Sequence, residues 1–203
     1  MTSFDAAIDA AFEPFRGKPR VDRAAALVSN LADYGLIWVV LALFKARRHG
    51  PNRRRAIASL GLAGLSSYAI NRATKSVVDR QRPEEHLEAS VRTPSSSSFP
   101  SGHTLAAFTT AFTLSETSTE TVAYVGFAAA VAASRVHLRA HHPSDVVGGA
   151  VIGSVLGLTL RPLLNVLTPG TRRSRNRSAR GRAERTGGRA QGMGPDRYLL
   201  KRL

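Results

Sequence analysis

Cysteine is missing from the 203-residue chain, and aromatic residues make up only 6% of it. Without cysteine the protein has no disulfide framework, no thiolate metal ligand and no thiol nucleophile. Acidic residues are also scarce, with 14 Asp and Glu against 29 Lys and Arg, which gives a formal net charge of +15. This imbalance indicates an anionic partner, which could be a nucleic acid, a phospholipid or a phosphorylated substrate.

The N-terminus lacks the basic start and the apolar run of a secretory signal, so no cleaved signal peptide is predicted. Instead Phe4, Ile8, Ala11 and Phe15 recur at helical spacing, with acidic residues elsewhere on the helical wheel. This pattern predicts an amphipathic helix within an N-terminal segment, residues 1–23, that lies on a membrane or against the rest of the protein.

Residues 24–170 alternate apolar, small-residue segments with short polar windows, and their length suits one domain. Five of these segments are read as membrane crossings, the shorter ones with the help of flanking residues. They are residues 24–44, 56–73, 104–114, 122–133 and 146–167. Glycines at positions 148, 149, 153 and 157 favour close helix packing in the last of them. The predicted fold is an all-α integral membrane bundle of about five spans.

Charge sets the expected orientation. Six Lys and Arg lie between residues 45 and 55, and such a short basic connection belongs in the cytoplasm. Residues 171–203 interleave Arg with Gly and Ser and contain few apolar residues, which predicts a disordered, basic cytoplasmic tail. With five crossings, all the polar windows of the domain fall on the non-cytoplasmic face.

The first polar window contains Lys75 and Arg82, about two helical turns apart. Both can point at one site if the helix continues until Pro83 stops it. The alternative is that they hold lipid headgroups at the end of a span. Asp79 and Arg80 are left to that role, since Asp79 can form an ion pair at helical spacing.

The second window is Ser101, Gly102 and His103 at the start of an apolar helix. The N–H groups and the dipole at a helix N-terminus make a site for an anion such as phosphate. A simple helix cap would account for Ser101 equally well. It would not account for His103, because a histidine cation is unfavourable at the positive end of a helix unless an anion sits there.

The third window, residues 134–145, holds Arg135 and the pair His141 and Asp145, four residues apart. If the last helix begins near residues 142–144, Asp145 can hold one ring nitrogen of His141 and leave the other as a nucleophile. The alternative is a charged helix end at a membrane surface. No chemical role is given to the other histidines, which are His49, His86, His137 and His142.

Together the three windows resemble the type-2 phosphatidic acid phosphatase and vanadium haloperoxidase superfamily. Its pattern is Lys-x6-Arg-Pro, then Pro-Ser-Gly-His, then Ser-Arg-x5-His-x3-Asp, and the chain agrees at every motif position. The resemblance covers roughly residues 56 to 165 and implies a small bacterial membrane lipid phosphatase. It also implies a phosphohydrolase that needs neither a metal nor another cofactor.

The resemblance further implies a role for each matched residue. His141, oriented by Asp145, would attack phosphorus and form a phosphohistidine, while His103 would protonate the leaving oxygen. The phosphoryl oxygens would be bound by Lys75, Arg82, Ser101, Gly102 and Arg135. Cations and N–H donors of this kind stabilise charge on the equatorial oxygens.

The expected substrate is a lipid phosphate at the outer face of the cell membrane. Candidates are a polyprenyl mono- or diphosphate, phosphatidate, phosphatidylglycerol phosphate and a prenyl-linked sugar phosphate. Soluble acid phosphatases and vanadate-dependent haloperoxidases share the site, but the apolar segments and the missing signal peptide argue against both. Nucleic-acid binding through the tail is a third hypothesis, and it leaves the windows unexplained. No nucleic acid is expected, because the tail is nearly without aromatic residues for base stacking.

Overall fold

The computed structural model describes residues 2–47, 51–83 and 97–169, and every regular element within these ranges is helical. The predicted all-α class is therefore confirmed. Predictions for His49, His86, residues 84–96 and the tail lie outside the described residues. The helices are α1 (Ser3–Phe12), α2 (Pro19–Ala32), α3 (Leu36–Ala46), α4 (Pro51–Val77), α5 (Gly102–Leu114), α6 (Ser118–His137) and α7 (Pro143–Leu167), with 3-10 turns at Glu13–Phe15 and Asp33–Gly35.

The central helix is α5, which packs against α4, α6 and α7. Small and medium apolar side chains such as Ala107, Ala111 and Leu114 are buried in this core. The end of α4, the start of α5 and the end of α6 reach one cavity, and so does His141, just before α7 begins. The alternating direction of the four helices thus brings the three polar windows to the same end of the bundle.

Glycines allow α5 and α7 to lie in direct contact, as the small-residue pattern predicts. A Cβ added at Gly149 would lie 2.7 Å from the carbonyl oxygen of Ser101, and one at Gly157 would lie 2.9 Å from that of Thr109. A Cβ at Gly153 would overlap the carbonyl group of Leu105. Backbone atoms cannot move aside as a flexible side chain can, so only glycine fits these three positions.

We expect Gly153→Ala to destabilise the fold by about 1–3 kcal/mol, the usual cost of overpacking a close contact. Thermal unfolding of the detergent-solubilised variant would measure the loss. The matched control is Gly61→Ala on α4, where an added Cβ meets nothing within 4 Å. The control should be at least as stable as the parent, since Ala favours a helix over Gly. Equal melting of both variants would contradict the close α5–α7 packing.

The predicted span over residues 24–44 is not one straight helix. The chain breaks at Asp33–Gly35, and α2 and α3 meet at an angle of 60°. Gly35 takes a φ of 68° there, in the left-handed region that glycine tolerates best. The 11 residues of α3 extend roughly 16 Å, well short of the 30 Å of a hydrocarbon core. The break places the turn that contains Asp33 at the cavity.

Only one helix in the described part of the chain is by itself long and apolar enough to cross a membrane, namely α7. The bent pair of α2 and α3 passes the same test when it is taken as one segment. With 13 residues, α5 extends roughly 20 Å. The count of five spans stays a prediction.

The N-terminal segment contains a helix, α1, which turns an unexpected residue toward the rest of the protein. Phe4 and Phe15 are half exposed, whereas the side chain of Asp5 is completely buried where α1 packs on α7. Asp5 accepts a hydrogen bond of 2.8 Å from the backbone N–H of Ser144 in the first turn of α7. Arg16, just after α1, donates to the carbonyl oxygens of two residues at the end of α6, Val136 and His137.

Candidate active site

The three polar windows meet around a cavity of about 850 Å³. Ser101 and Asp145 are completely buried and do not line it. The other six of the eight site residues suggested by the sequence do line it; they are Lys75, Arg82, Gly102, His103, Arg135 and His141. The lining thus combines cations, a helix N-terminus and two imidazoles.

The first window reaches the cavity in a different way from the one expected. Lys75 is in the last turn of α4, but the helix ends at Val77 and does not continue to Pro83, which was the condition under which both cations were expected to point at one site. After Val77 the backbone leaves the helical path, and the carbonyl oxygen of Arg80 accepts a hydrogen bond of 2.8 Å from the N–H of Ser98. Arg82 then enters from this irregular segment, and its Nη1 donates to the carbonyl oxygen of Ala140 at 2.9 Å.

The second window begins α5, with Ser101 at the N-cap. Its backbone N–H donates to the carbonyl oxygen of Asp145, and its hydroxyl accepts from that of Thr104, both at 3.0 Å. Gly102 follows, and a Cβ there would lie 3.1 Å from the amide nitrogen of Asn71. Glycine therefore lets α4 and the start of α5 approach closely at the cavity wall.

A tight turn places His141 between α6 and α7. The carbonyl oxygen of Arg135 accepts from the backbone N–H of Ala140 at 3.0 Å and from that of His141 at 3.3 Å. Arg139 takes a φ of 52° within this turn. A non-glycine residue in this region costs free energy, and such residues concentrate at functional sites.

The hydrogen bonds of His141 define its tautomer. Nδ1 lies 2.9 Å from the carbonyl oxygen of Ser98, which can only accept, so Nδ1 carries the hydrogen. Nε2 lies 3.2 Å from Nη1 of Arg82, which can only donate, so Nε2 presents its lone pair. Burial lowers the pKa of His141 to about 3, and the charges of Arg82 and Arg135 contribute against the opposing effect of Asp145. The imidazole is therefore neutral near pH 7.

Asp145 does not contact His141 in the way the spacing suggests. Its Oδ2 lies 3.8 Å from Nδ1 of His141, beyond hydrogen-bond distance. That oxygen accepts from the hydroxyl of Ser98 and, at 2.9 Å, from the backbone N–H of His142. Ser98 thus lies between the two residues, because its hydroxyl binds Asp145 and its carbonyl oxygen binds the imidazole.

Asp5, which no sequence pattern singled out, and Arg80, which was expected only at lipid headgroups, complete this network. Nη1 of Arg80 donates to Asp145 at 2.6 Å, and its Nη2 donates to Asp5 at 2.8 Å. Burial alone would raise the pKa of Asp5, but hydrogen bonds from Ser144, Thr2 and Arg80 lower it and keep the carboxylate charged. No local pattern could reveal this bridge, since Asp5 and Ser144 are 139 positions apart.

Arg135 is 1% exposed and projects from α6 into the cavity wall. Its Nη1 donates to the hydroxyl of Ser29 on α2. Its Nε and Nη2 find no hydrogen-bond partner in the part of the chain that the structure describes. Buried donors are normally paired, so two such N–H groups beside a cavity indicate a site for an anion with several acceptor oxygens.

Cations, a helix N-terminus and a buried imidazole around one cavity are typical of a site that binds a phosphate group. The chain belongs to the PAP2 superfamily, whose family model matches residues 56–168. Its relatives are named as phosphatases, so the protein is a phosphoric ester hydrolase. Within the described ranges, no three His, Cys, Asp or Glu side chains come together as a metal-binding group.

Two curated relatives carry the name decaprenylphosphoryl-5-phosphoribose phosphatase. The one from Mycobacterium tuberculosis is 32% identical over 161 residues, which cover 79% of this chain and 88% of the relative. The one from Mycolicibacterium smegmatis is 33% identical over 146 residues, which cover 71% and 80%.

Two solved structures share the fold. The PAP2-type phosphatidylglycerolphosphate phosphatase of Bacillus subtilis has a TM-score of 0.66 at 23% identity, over 83% of this chain and 88% of that one. Aquifex aeolicus LpxE has a TM-score of 0.64 at 25% identity, over 78% and 94%.

Proposed function

We propose that this protein is a membrane enzyme that removes the terminal phosphate from a lipid-linked sugar phosphate through a phosphohistidine at His141. The observation that carries the proposal is the buried, neutral imidazole whose Nε2 lone pair lies beside Arg82 at the cavity. A histidine that only stabilised the fold would have no need of cations around its lone pair. Here Lys75, Arg82 and Arg135 are arranged to bind the group that this nitrogen attacks.

In the first step, the lone pair on Nε2 of His141 forms a bond to phosphorus. The bond from phosphorus to the leaving oxygen breaks, and the electron pair stays on that oxygen, which takes a proton from His103. Charge on the phosphoryl oxygens is stabilised by Lys75, Arg82, Arg135 and the N–H groups that begin α5. The carbonyl oxygen of Ser98 accepts a hydrogen bond from Nδ1–H of His141. This bond keeps the imidazole in the tautomer whose Nε2 has a free lone pair.

In the second step, water attacks the phosphohistidine. The now neutral His103 takes a proton from that water, and the phosphorus–nitrogen bond breaks with its electron pair returning to His141. Inorganic phosphate leaves, and both histidines are back in their starting protonation states. The two steps balance without an additional reactant.

A membrane location is supported by the outer surface of the bundle. Large apolar side chains are exposed along α3 and α7, including Leu43 at 61%, Phe44 at 63%, Val151 at 58% and Val155 at 61%. Contiguous exposed apolar surface of this kind suits lipid better than water. Lys45, at the start of the basic connection, contacts Glu120 and the carbonyl oxygen of Leu114 at the end of the bundle away from the cavity. This supports an active site on the non-cytoplasmic face.

The composition of the cavity wall favours a polar group between the phosphate and the lipid chain. From the cations, the wall follows one face of α4 through Asn71 and Ser67 to Gly64 and Leu60. Oδ1 of Asn71 and the hydroxyl of Ser67 are buried and have no hydrogen-bond partner among the described residues. Hydroxyl groups of a sugar would suit both atoms. The names of the curated relatives agree, and we therefore rank a prenyl-linked sugar phosphate first.

The direct test is phosphate release from a panel of lipid phosphates by the detergent-solubilised protein, with excess chelator present. We expect turnover with chelator, fastest on a prenyl-linked sugar phosphate, and a base-stable, acid-labile phosphoenzyme after rapid quenching. Orthovanadate should inhibit, since its trigonal bipyramidal adduct resembles the transition state. A strict requirement for Mg²⁺ would contradict the proposed mechanism. Faster turnover of phosphatidate than of a prenyl-linked sugar phosphate would contradict the proposed substrate class.

Lys75 supplies a prediction about pH. Burial lowers its pKa to about 8, with a further contribution from Arg82 and an opposing one from Asp145. The free enzyme therefore loses this cation as the pH rises through about 8, and kcat/KM for an anionic substrate should fall over the same range. Lys75→Arg should move the fall to higher pH, because guanidinium stays charged. An unchanged profile would contradict a role for Lys75 in phosphate binding. The control is Lys45→Arg, at the other end of the bundle.

A further inference from the structure

The turn between α2 and α3 carries Asp33, whose Oδ1 lies 2.5 Å from Nε2 of His103. Asp33 lies outside the residues that match the family model, 56–168, and outside all three motifs. Among the described residues that line the cavity it is the single acidic side chain. The family motifs therefore do not explain why Asp33 binds His103.

The surroundings of His103 otherwise oppose a positive charge on its ring. It is in the first turn of α5, at the positive end of the helix dipole. Apart from Asp33, the charged side chains that line the cavity in the described part of the chain are cations; they are Lys75 from α4, Arg82 from the segment after α4, and Arg135 from α6. A proton donor must nevertheless carry its proton when the leaving oxygen departs. Asp33 supplies the negative charge that compensates these cations.

We propose that Asp33 is a positioning residue for the proton donor: its carboxylate accepts the Nε2 hydrogen of His103 and orients the ring so that Nδ1 carries the proton for the leaving oxygen. The inference rests on the function proposed above. Nδ1 remains to deliver its proton to the leaving oxygen, while the Nε2 hydrogen stays bonded to the carboxylate. After the transfer His103 is neutral, Asp33 is still ionised, and water returns a proton to Nδ1 in the second step. Asp33 thus acts through His103 and does not touch the substrate.

The shape of the chain around Asp33 is consistent with this role. A continuous helix over residues 24–44 would have no turn at Asp33. The break at Asp33–Gly35 instead brings Asp33 to the cavity. The side chain of Asp33 is 34% exposed and that of His103 is 24% exposed, so both are accessible from the cavity. A carboxylate that only closed a turn would not need a histidine from another helix as its partner.

The test compares two leaving groups in the full-length, detergent-solubilised enzyme. An alkyl phosphate, such as the prenyl-linked sugar phosphate, needs a proton on its leaving oxygen, whereas 4-nitrophenyl phosphate does not. For Asp33→Asn we expect the first-turnover rate on the alkyl substrate to fall about 100-fold, the low end of general-acid effects. The first-turnover release of nitrophenolate should change far less, and KM for both substrates should change little. Asp33→Glu should restore part of the alkyl rate.

The chain offers a matched control in Asp22→Asn. Asp22 lies on α2, close in sequence to Asp33, and it also binds a histidine, with its Oδ1 2.7 Å from Nε2 of His137. Neither residue of that pair lines the cavity. Asp22→Asn should therefore leave the ratio of the two first-turnover rates unchanged, even if it lowers the melting temperature.

Several outcomes would overturn the proposal. They are an equal loss on both substrates, no loss on either, or a further loss when Asp33→Asn is added to His103→Ala. The double variant should match His103→Ala alone, because Asp33 acts only through that ring. If Asp33→Asn does not fold, Asp33→Ser gives the same comparison. Wild-type enzyme without activity on any phosphate ester would instead overturn the proposed function.

Discussion

His141→Ala is expected to reduce kcat on a lipid phosphate by about 10⁴-fold or more, because it removes the proposed nucleophile itself. The side chain is 3% exposed, and its hydrogen bond to Ser98 is one of several that hold this region together. The variant should therefore remain folded and inserted in the membrane. Single-turnover assays with radiolabelled substrate, quenched in base, would measure the decisive quantity, the amount of phosphoenzyme. None should form.

The neighbouring histidine provides the control. His142 is the N-cap of α7 and does not line the cavity. His142→Asn keeps a good capping residue and should retain both turnover and the phosphoenzyme. If His141→Ala still formed a stable phosphoenzyme, the nucleophile would have to be another residue.

Arg135→Met should lower kcat/KM by at least about 10²-fold, the usual effect of removing one charge-stabilising donor. It should do so without destabilising the protein in the absence of phosphate. The guanidinium is almost completely buried, and two of its N–H groups find no partner among the described residues. Replacing an incompletely paired buried cation by an apolar side chain is often neutral or stabilising. The Arg135→Met variant should therefore lose kcat/KM while its melting temperature stays at or above that of the parent protein.

The effect of orthovanadate on the melting temperature distinguishes the loss of an anion-binding group in Arg135→Met from a simple change in packing. A ligand that binds only the folded state raises the melting temperature. Vanadate should therefore stabilise the parent protein and have little effect on Arg135→Met. Arg135→Lys keeps the charge but not the planar fork of donors, and it should fall between the two. A large loss of stability in Arg135→Met without vanadate would contradict the view that these N–H groups are reserved for an anion.

The N-terminal 55 residues, which precede the match to the family model, support the site at several points. Asp5 binds Arg80 and the backbone of Ser144, Ser29 binds Arg135, and Asp33 binds His103. These contacts connect residues more than 60 positions apart in the chain. Activity should therefore depend on this segment as well as on the motifs.

The α-helical class, the close packing through the glycines of α7 and six of the residues that line the cavity could be predicted from the sequence. The reason is that each depends on local information. Helical periodicity and glycine spacing act within one element, and the three motifs fix residue types at short, constant separations. The span count and the roles of the individual site residues remain predictions, and the experiments above test the site roles.

The amino-acid sequence alone shows which groups the proposed chemistry can use: two motif histidines, three cations and a helix N-terminus near Gly102. How these groups are held depends on the tertiary structure. It ended α4 at Val77, broke the segment at Asp33–Gly35 and put Ser98 between Asp145 and the imidazole. Each of these depends on a partner far away in the chain, and a buried polar group takes whichever partner the packed helices bring within reach. No local pattern records that choice.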